Sequence, residues 1–185
     1  FRANITLDST SRRWKFVNLV NNLFIRNTTF PVGAGASSDA GFSTAVNGGA
    51  LTIGPGCAYD EIIINVYDST TFQPWQNVYS GSSGLYNSLA STCGDLRQWN
   101  FEYPLSTVAG RKNAMDFLNM LPVGAFVEIR NNVNPDSASN TYVDKWKADT
   151  TLYGSGNSLA GIFERAGVSI IDSFTRPRAF AAFYQ

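Results

Sequence analysis

The chain has 185 residues, 14 Lys plus Arg against 14 Asp plus Glu, and no His. Balanced, dispersed charge argues against a nucleic-acid binder, and the lack of an apolar run of about 18 residues argues against a membrane-spanning helix. Without His, Ser-His-Asp and Cys-His catalysis, His-ligated zinc and histidine pH switching are excluded together.

Phe1 to Asp8 alternates apolar and polar residues, the period of a half-buried strand. The chain opens with neither an initiator Met nor a signal peptide, so the expectation is a piece of a longer protein. Trp14 to Ile25 has a mixed period in which strand and short helix compete, and strand is preferred. Pro31 to Gly41 is small and polar, a loop. Two short runs, Phe42–Val46 and Gly49–Ile53, flank Asn47-Gly48. Both turn residues accept positive φ, so a hairpin with a type I′ turn is expected. Gly54-Pro55-Gly56 ends its second strand.

Glu61 to Asp68 is a β-branched run, read as a central buried strand. Ser69 to Phe72 turns the chain, and Pro74 to Tyr79 is expected to pair back. Ser80 to Gly94 reads as a Gly/Ser-rich loop. Gln98 to Tyr103 alternates as a strand, stopped by Pro104. Ser106 or Thr107 can cap a helix to about Leu121, with Met115, Leu118 and Leu121 on one stripe beside Ala114 and Phe117. Pro122 and Gly124 terminate it. Ala125 to Arg130 is a strand. Asn131–Ser139 and Thr150–Asn157 read as loops. Ser158 caps a second helix with Leu159, Ile162, Phe163 and Ala166 on one face and Gly167 at C′. Val168–Ile171 and Ala179–Tyr184 close the chain as strands. The sum is about ten strands and two or three helices: one α+β domain over residues 1–185, with mainly antiparallel, sandwich-like sheets and packed helices.

Cys57 and Cys93 are the two cysteines. They are too few for a thiolate zinc site, and no His completes one. A disulfide is the leading reading, against a free nucleophilic thiol or two buried thiols. In the chain-entropy model a bridge of this span contributes roughly 3–4 kcal/mol, and it would place the protein outside the cytoplasm.

From Phe42 onward the order of elements resembles the interleukin-like EMT-inducer domain. The residues that carry the resemblance are the strand Ile62–Tyr67, Phe117-Leu118-Asn119-Met120 with Gly124, the strand Phe126–Ile129, Gly167, and Ala179-Phe180 in the last strand. That domain occurs in the pancreatic-derived-factor cytokine family and in the stem of protein O-mannose N-acetylglucosaminyltransferase. Residues 1–41 lie outside the resemblance as an N-terminal strand extension, and the stretch between Tyr79 and Ala114 is longer than the family's. That longer stretch, with Gln98 to Pro104, looks like the bacterial version in PorU-like proteins of type IX secretion, which carry a gingipain-like peptidase domain elsewhere. The resemblance implies a non-catalytic module of a large exported or outer-membrane-associated protein. It does not transfer a sugar site, because Phe174-Thr175-Arg176-Pro177-Arg178 lacks the Arg-Asp pair at the matching positions.

Candidate chemistry is sparse. Asp60 and Glu61 are adjacent, and neighbours on a strand point to opposite faces, so they do not readily share one site. Asn131, Asn132, Asn134, Asp136 and Asn140 read as a solvated turn lacking the spacing of a calcium loop. Gly54-Pro55-Gly56 and Gly154-Ser155-Gly156 lack the Lys-Ser/Thr of a phosphate loop. No cofactor or metal is expected. The excess is aromatic: 13 Phe, 8 Tyr and 4 Trp. The Phe are assigned to the core. Trp75, Trp99, Tyr103, Trp146 and Tyr153 lie beside polar or loop residues and are the candidate ligand contacts, with Trp146 and its neighbour Asp144 the most exposed case. Two functions follow: docking of a neighbouring domain or surface protein, or stacking of glycans on loop aromatics.

Overall fold

The computed structural model describes residues 5–16, 21–27, 43–53, 60–78, 83–89, 98–132, 142–169 and 178–185. Cys57, Cys93, Pro31–Gly41 and both Gly54-Pro55-Gly56 and the Asn134–Asn140 turn lie outside them. The described residues form an α+β fold of antiparallel sheets with helices on one side.

Strands β1 (Ile5–Asp8) and β2 (Arg13–Phe16) make a hairpin. Asp8 Oδ1 accepts from the backbone N–H of Thr10 and Ser11 and so pins the turn. The single strand expected over Trp14–Ile25 is instead the end of β2 and the start of β3 (Leu23–Arg26), with residues 17–20 outside the described set. β4 (Ser43–Val46) and β5 (Gly49–Ile53) complete a three-stranded sheet in the order β3-β4-β5. Its hairpin is the expected one: Asn47 has φ 50° and Gly48 φ 82°, the pair of positive values a type I′ turn needs.

β6 (Glu61–Tyr67) is central, as expected, in a four-stranded sheet of order β7-β6-β8-β9. β7 is Phe101–Pro104, β8 Phe126–Asn132 and β9 Ala181–Tyr184. All seven residues of β6 are buried, which requires cover on both faces. Asn131 and Asn132 are buried in β8 rather than in a solvated loop. The return expected over Pro74–Tyr79 reduces to one bridge between Tyr67 and Pro74. Within the expected 80–94 loop, Leu85–Asn87 is a left-handed tip: Tyr86 and Asn87 both have φ 57°, and the Ser88 N–H bonds the Leu85 carbonyl. It closes a small hairpin through the Ser83–Leu89 bridge.

Helix α1 (Val108–Met120) is capped by Thr107, whose Oγ1 accepts from the Gly110 N–H at 3.0 Å. The single turn α3 (Thr150–Tyr153) stands where a loop is expected, and α2 (Tyr142–Ala148) fills a stretch for which the sequence predicts no element. α4 (Leu159–Arg165) is capped by Ser158, and Gly167 follows with φ 78°. Val168 and Ser169 are not in a strand.

Alternation along the strands sorts the sheet's two faces. Ile62, Ile64 and Val66, Phe101 and Tyr103, Val127 and Ile129 join Phe117, Leu118, Trp146, Ile162 and Phe163 in one apolar core under the helices. The opposite face is polar and still buried: Glu61, Asn65, Asn100, Glu102, Glu128, Arg130 and Asn132 are all 1% exposed or less. On the helical side, Arg111 clamps Asp149 through two bonds of 2.6 and 2.9 Å and donates to the Leu105 carbonyl. That pair ties α1 to the start of α3.

Candidate functional site

The polar face of the larger sheet is where the smaller sheet lands. Glu128 is the contact point. Its Oε1 accepts from Thr44 Oγ1 of β4 at 2.6 Å, and its Oε2 accepts from the Tyr67 phenol at 2.6 Å. Arg130, two residues on and so on the same face, brings Nε to 2.9 Å from Glu128 Oε1 and donates from Nη2 to Asn65 Oδ1. A carboxylate this deeply buried survives only when paired and hydrogen-bonded; Glu128 has both. Burial, and then the charge of Glu128, push the Tyr67 phenol far above its ordinary pKa, so it stays a donor.

A second pin joins the sheets at one end. Asn27, just past β3, donates from Nδ2 to the Asn131 carbonyl, the Asn131 Oδ1 and the Phe180 carbonyl. Toward the other end of β3 the two layers part. The wedge between them is an open groove of about 630 Å³, lined by Asn21, Leu23, Ile25, Ser69, Thr70, Phe72, Phe126 and Phe183. Leu23 and Ile25 of β3 share the inner face of the smaller sheet with Thr44 of β4, which pairs with Ile25. Phe126 and Phe183 come from β8 and β9 and stack in parallel, 5.8 Å between centroids. Phe72 packs edge-on to both and stacks on Tyr67 at 5.0 Å, so the groove's aromatic floor rests on the buried phenol. Phe183 remains 45% exposed.

One turn supplies three of the lining residues. Asp68 Oδ1 accepts from the N–H groups of Thr70 and Thr71 and from Thr71 Oγ1. These bonds hold the Asp68 carboxyl below its usual pKa, those to the Thr71 and Thr70 amides most strongly. Phe72 ends the turn at φ 57°, a conformation that costs a residue with a Cβ roughly 1–2 kcal/mol. Its 7% exposure shows what holds it there: the ring is buried between Tyr67 and the two other phenyl groups.

None of the six aromatic or acidic residues expected from the sequence lines this groove. Trp146 is the clearest correction. It is 2% exposed, packed against Phe163 and Phe180. The reason is α2: Val143 and Trp146 lie three apart on its inner face, whereas Asp144 and Lys147 face solvent. Tyr103 is also core, fully buried near Phe117, its phenol donating to the Tyr86 carbonyl. Trp75 and Tyr153 are half-buried against the core, the latter under Lys112 Nζ at 5.4 Å. Trp99 is half-buried and its carbonyl accepts from Asn65. Asp144 is exposed on α2, and Trp146 turns inward, away from it.

The lining escaped sequence reading for two reasons. Its described residues come from four distant segments that only the sheet stacking brings together, and composition alone assigns Phe to a core. Among the described residues no group of three or more Cys, Asp or Glu is placed to hold a metal ion, and no helix is long and apolar enough to cross a membrane. No protein-family model, no curated protein and no solved structure matches this chain.

Proposed function

We propose that this chain is a non-catalytic interaction module that docks a polypeptide partner through the inter-sheet groove. The observation that carries the reading is the lining itself: among the described residues it is five apolar and three neutral polar side chains, with the Phe183 ring left 45% exposed. Such a concavity favours apolar side chains and rejects ionised ones, which would lose hydration without gaining a partner. The carboxylates Glu61, Glu102 and Glu128 are sealed at 1% exposure or less and none reaches the groove, which supports binding over acid–base chemistry. The wider setting, a large exported or cell-surface protein, rests on the resemblance of the element order to the interleukin-like EMT-inducer domain.

A second reading, glycan binding, is favoured by one detail: Asn21, Ser69 and Thr70 set amide and hydroxyl groups beside the exposed Phe183 ring. A displayed library of extended peptides and a glycan array, both screened against the whole chain, separate the two. Peptides that are apolar at alternate positions and bind at least about tenfold more weakly to Phe183→Ser support polypeptide docking. Glycan hits lost on Phe183→Ser and Asn21→Ala move the assignment to sugar. Blank screens with a folded chain overturn both.

A further inference from the structure

Asn47 does more than turn the chain. Its backbone N–H donates to the Asn22 carbonyl at 2.8 Å, one step beyond the Leu23–Val46 pair of the β3–β4 ladder. Its side chain continues the seam. Oδ1 accepts from the Asn22 N–H at 2.9 Å, and Nδ2 donates to Asn21 Oδ1 at 2.9 Å. A backbone N–H can only donate, so Asn22 fixes which end of the Asn47 amide carries the oxygen. Three bonds thus strap the start of β3 to the hairpin tip, and one of the strapped residues, Asn21, lines the groove. All three asparagines are exposed to water.

The amide that holds this strap can react with its own backbone. Gly48 follows Asn47, and with no Cβ it leaves its nitrogen open to approach by the preceding side chain. The ladder closes on Val46 and Gly49, so the Asn47–Gly48 peptide stands outside it. We propose that Asn47 is a deamidation site whose conversion releases the start of β3. The Gly48 nitrogen gives up its proton and bonds to Asn47 Cγ; the Cγ–Nδ2 bond breaks, and Nδ2 leaves with that proton as ammonia. Water then opens the succinimide at either carbonyl, giving aspartate or isoaspartate. Water is the one co-reactant, and no electrons are exchanged. In the fold both Oδ1 and Nδ2 are tied, so Cγ reaches the Gly48 nitrogen only when the strap opens, and the reaction follows that local opening. In isoaspartate the main chain runs through Cβ and Cγ. The two-residue turn gains an atom, the carboxylate sits on Cα, and the amide that held Asn21 and Asn22 is gone. A negative charge also enters beside a groove whose described lining is neutral. The site stands on the turn alone; only its bearing on docking rests on the groove reading.

The full chain, folded or in urea, is kept at mildly alkaline pH and mapped by mass spectrometry with isoaspartate-specific methylation. Folded wild type should gain isoaspartate at Asn47, more slowly than the chain in urea. It should do so ahead of Asn157, which is also exposed but precedes Ser158. Asn21→Ala removes the acceptor of Nδ2. When folded, that variant should convert at least about twofold faster than wild type, the low end for a lost hydrogen bond; in urea the two should match. Near-UV circular dichroism checks that the variant folds. In the converted chain, separated by ion exchange, the backbone amides of residues 22 and 47 should exchange hydrogen faster. A folded wild type that keeps its amide while the chain in urea loses it overturns the proposal. So does a folded Asn21→Ala no faster than wild type, conversion of Asn157 first, or unchanged exchange in the product. Peptide and glycan binding are scored on the unconverted chain, so the groove reading and this one can each fail alone.

Discussion

Tyr67 and Glu128 face one another across β6 and β8, phenol to carboxylate, at 2.6 Å in a fully buried layer. Thr44 reaches the same carboxylate from the smaller sheet, so one side chain links the groove's aromatic floor to the stacking of the sheets. Removing the phenol in Tyr67→Phe takes one donor from a buried acceptor and should cost about 1–3 kcal/mol. Glu128→Ala should cost more, about 3–5 kcal/mol, because it strands the Arg130 guanidinium. Urea denaturation of both variants checks the ranking; an equal or inverted order would mean that Glu128 is not the hub.

The Asp68 turn predicts an acid-sensitive groove. Its carboxyl titrates lower in the fold than in the unfolded chain. Its stabilisation is therefore complete above the unfolded pKa of about 4 and is lost as pH falls through the lower folded value. Asp68→Ala should thus be less stable than the wild type at neutral pH, and the difference should vanish in strong acid. Hydrogen exchange at the Thr70 and Thr71 amides, whose N–H groups bond Asp68, should accelerate in the variant. Unchanged exchange would show the turn to be held by the Phe72 ring alone.

At alkaline pH the tyrosines should separate. Burial pushes Tyr184 up to about 12, and it pushes Tyr67 and Tyr103 higher still. A raised phenol pKa stabilises the fold below the unfolded value of about 10 and loses that contribution as pH climbs through the folded one. Ultraviolet titration should show exposed tyrosines ionising first, a step near 12 that Tyr184→Phe removes, and Tyr67 and Tyr103 ionising only on unfolding. A Tyr184 that titrates with the exposed set would contradict its packing against the core.

Trp146 should behave as a core residue. Trp146→Ala is expected to cost about 3–5 kcal/mol through the void it leaves among Phe163 and Phe180. Asp144→Ala, two residues away and exposed, should stay within about 0.5 kcal/mol of wild type. Thermal melts of the pair test this directly, and a mild Trp146→Ala would point to a loosely packed α2.

What could be read from the sequence follows from how local each signal is. The Asn47-Gly48 hairpin, the Thr107 and Ser158 caps and the β-branched run of β6 are written within a few residues, and each stands where expected. α2 was missed because Val143 and Trp146, its buried apolar residues among those described, stand among charges and are too few to show a helical period. The buried carboxylates of β6, β7 and β8 follow from sheet stacking, a long-range event. So does the groove, whose Leu23 and Phe183 stand at opposite ends of the chain.

The directional bonding of Glu128 to Tyr67, Thr44 and Arg130 also bears on how this sequence can drift. Two smooth apolar faces can slip past one another and still be content, and any residue in such a layer can be exchanged for another of similar bulk. Here each member's substitution leaves its partner stranded in a dry layer. Tyr67, Thr44, Glu128 and Arg130 should therefore change together or not at all, so a descendant lineage would inherit the set as a block.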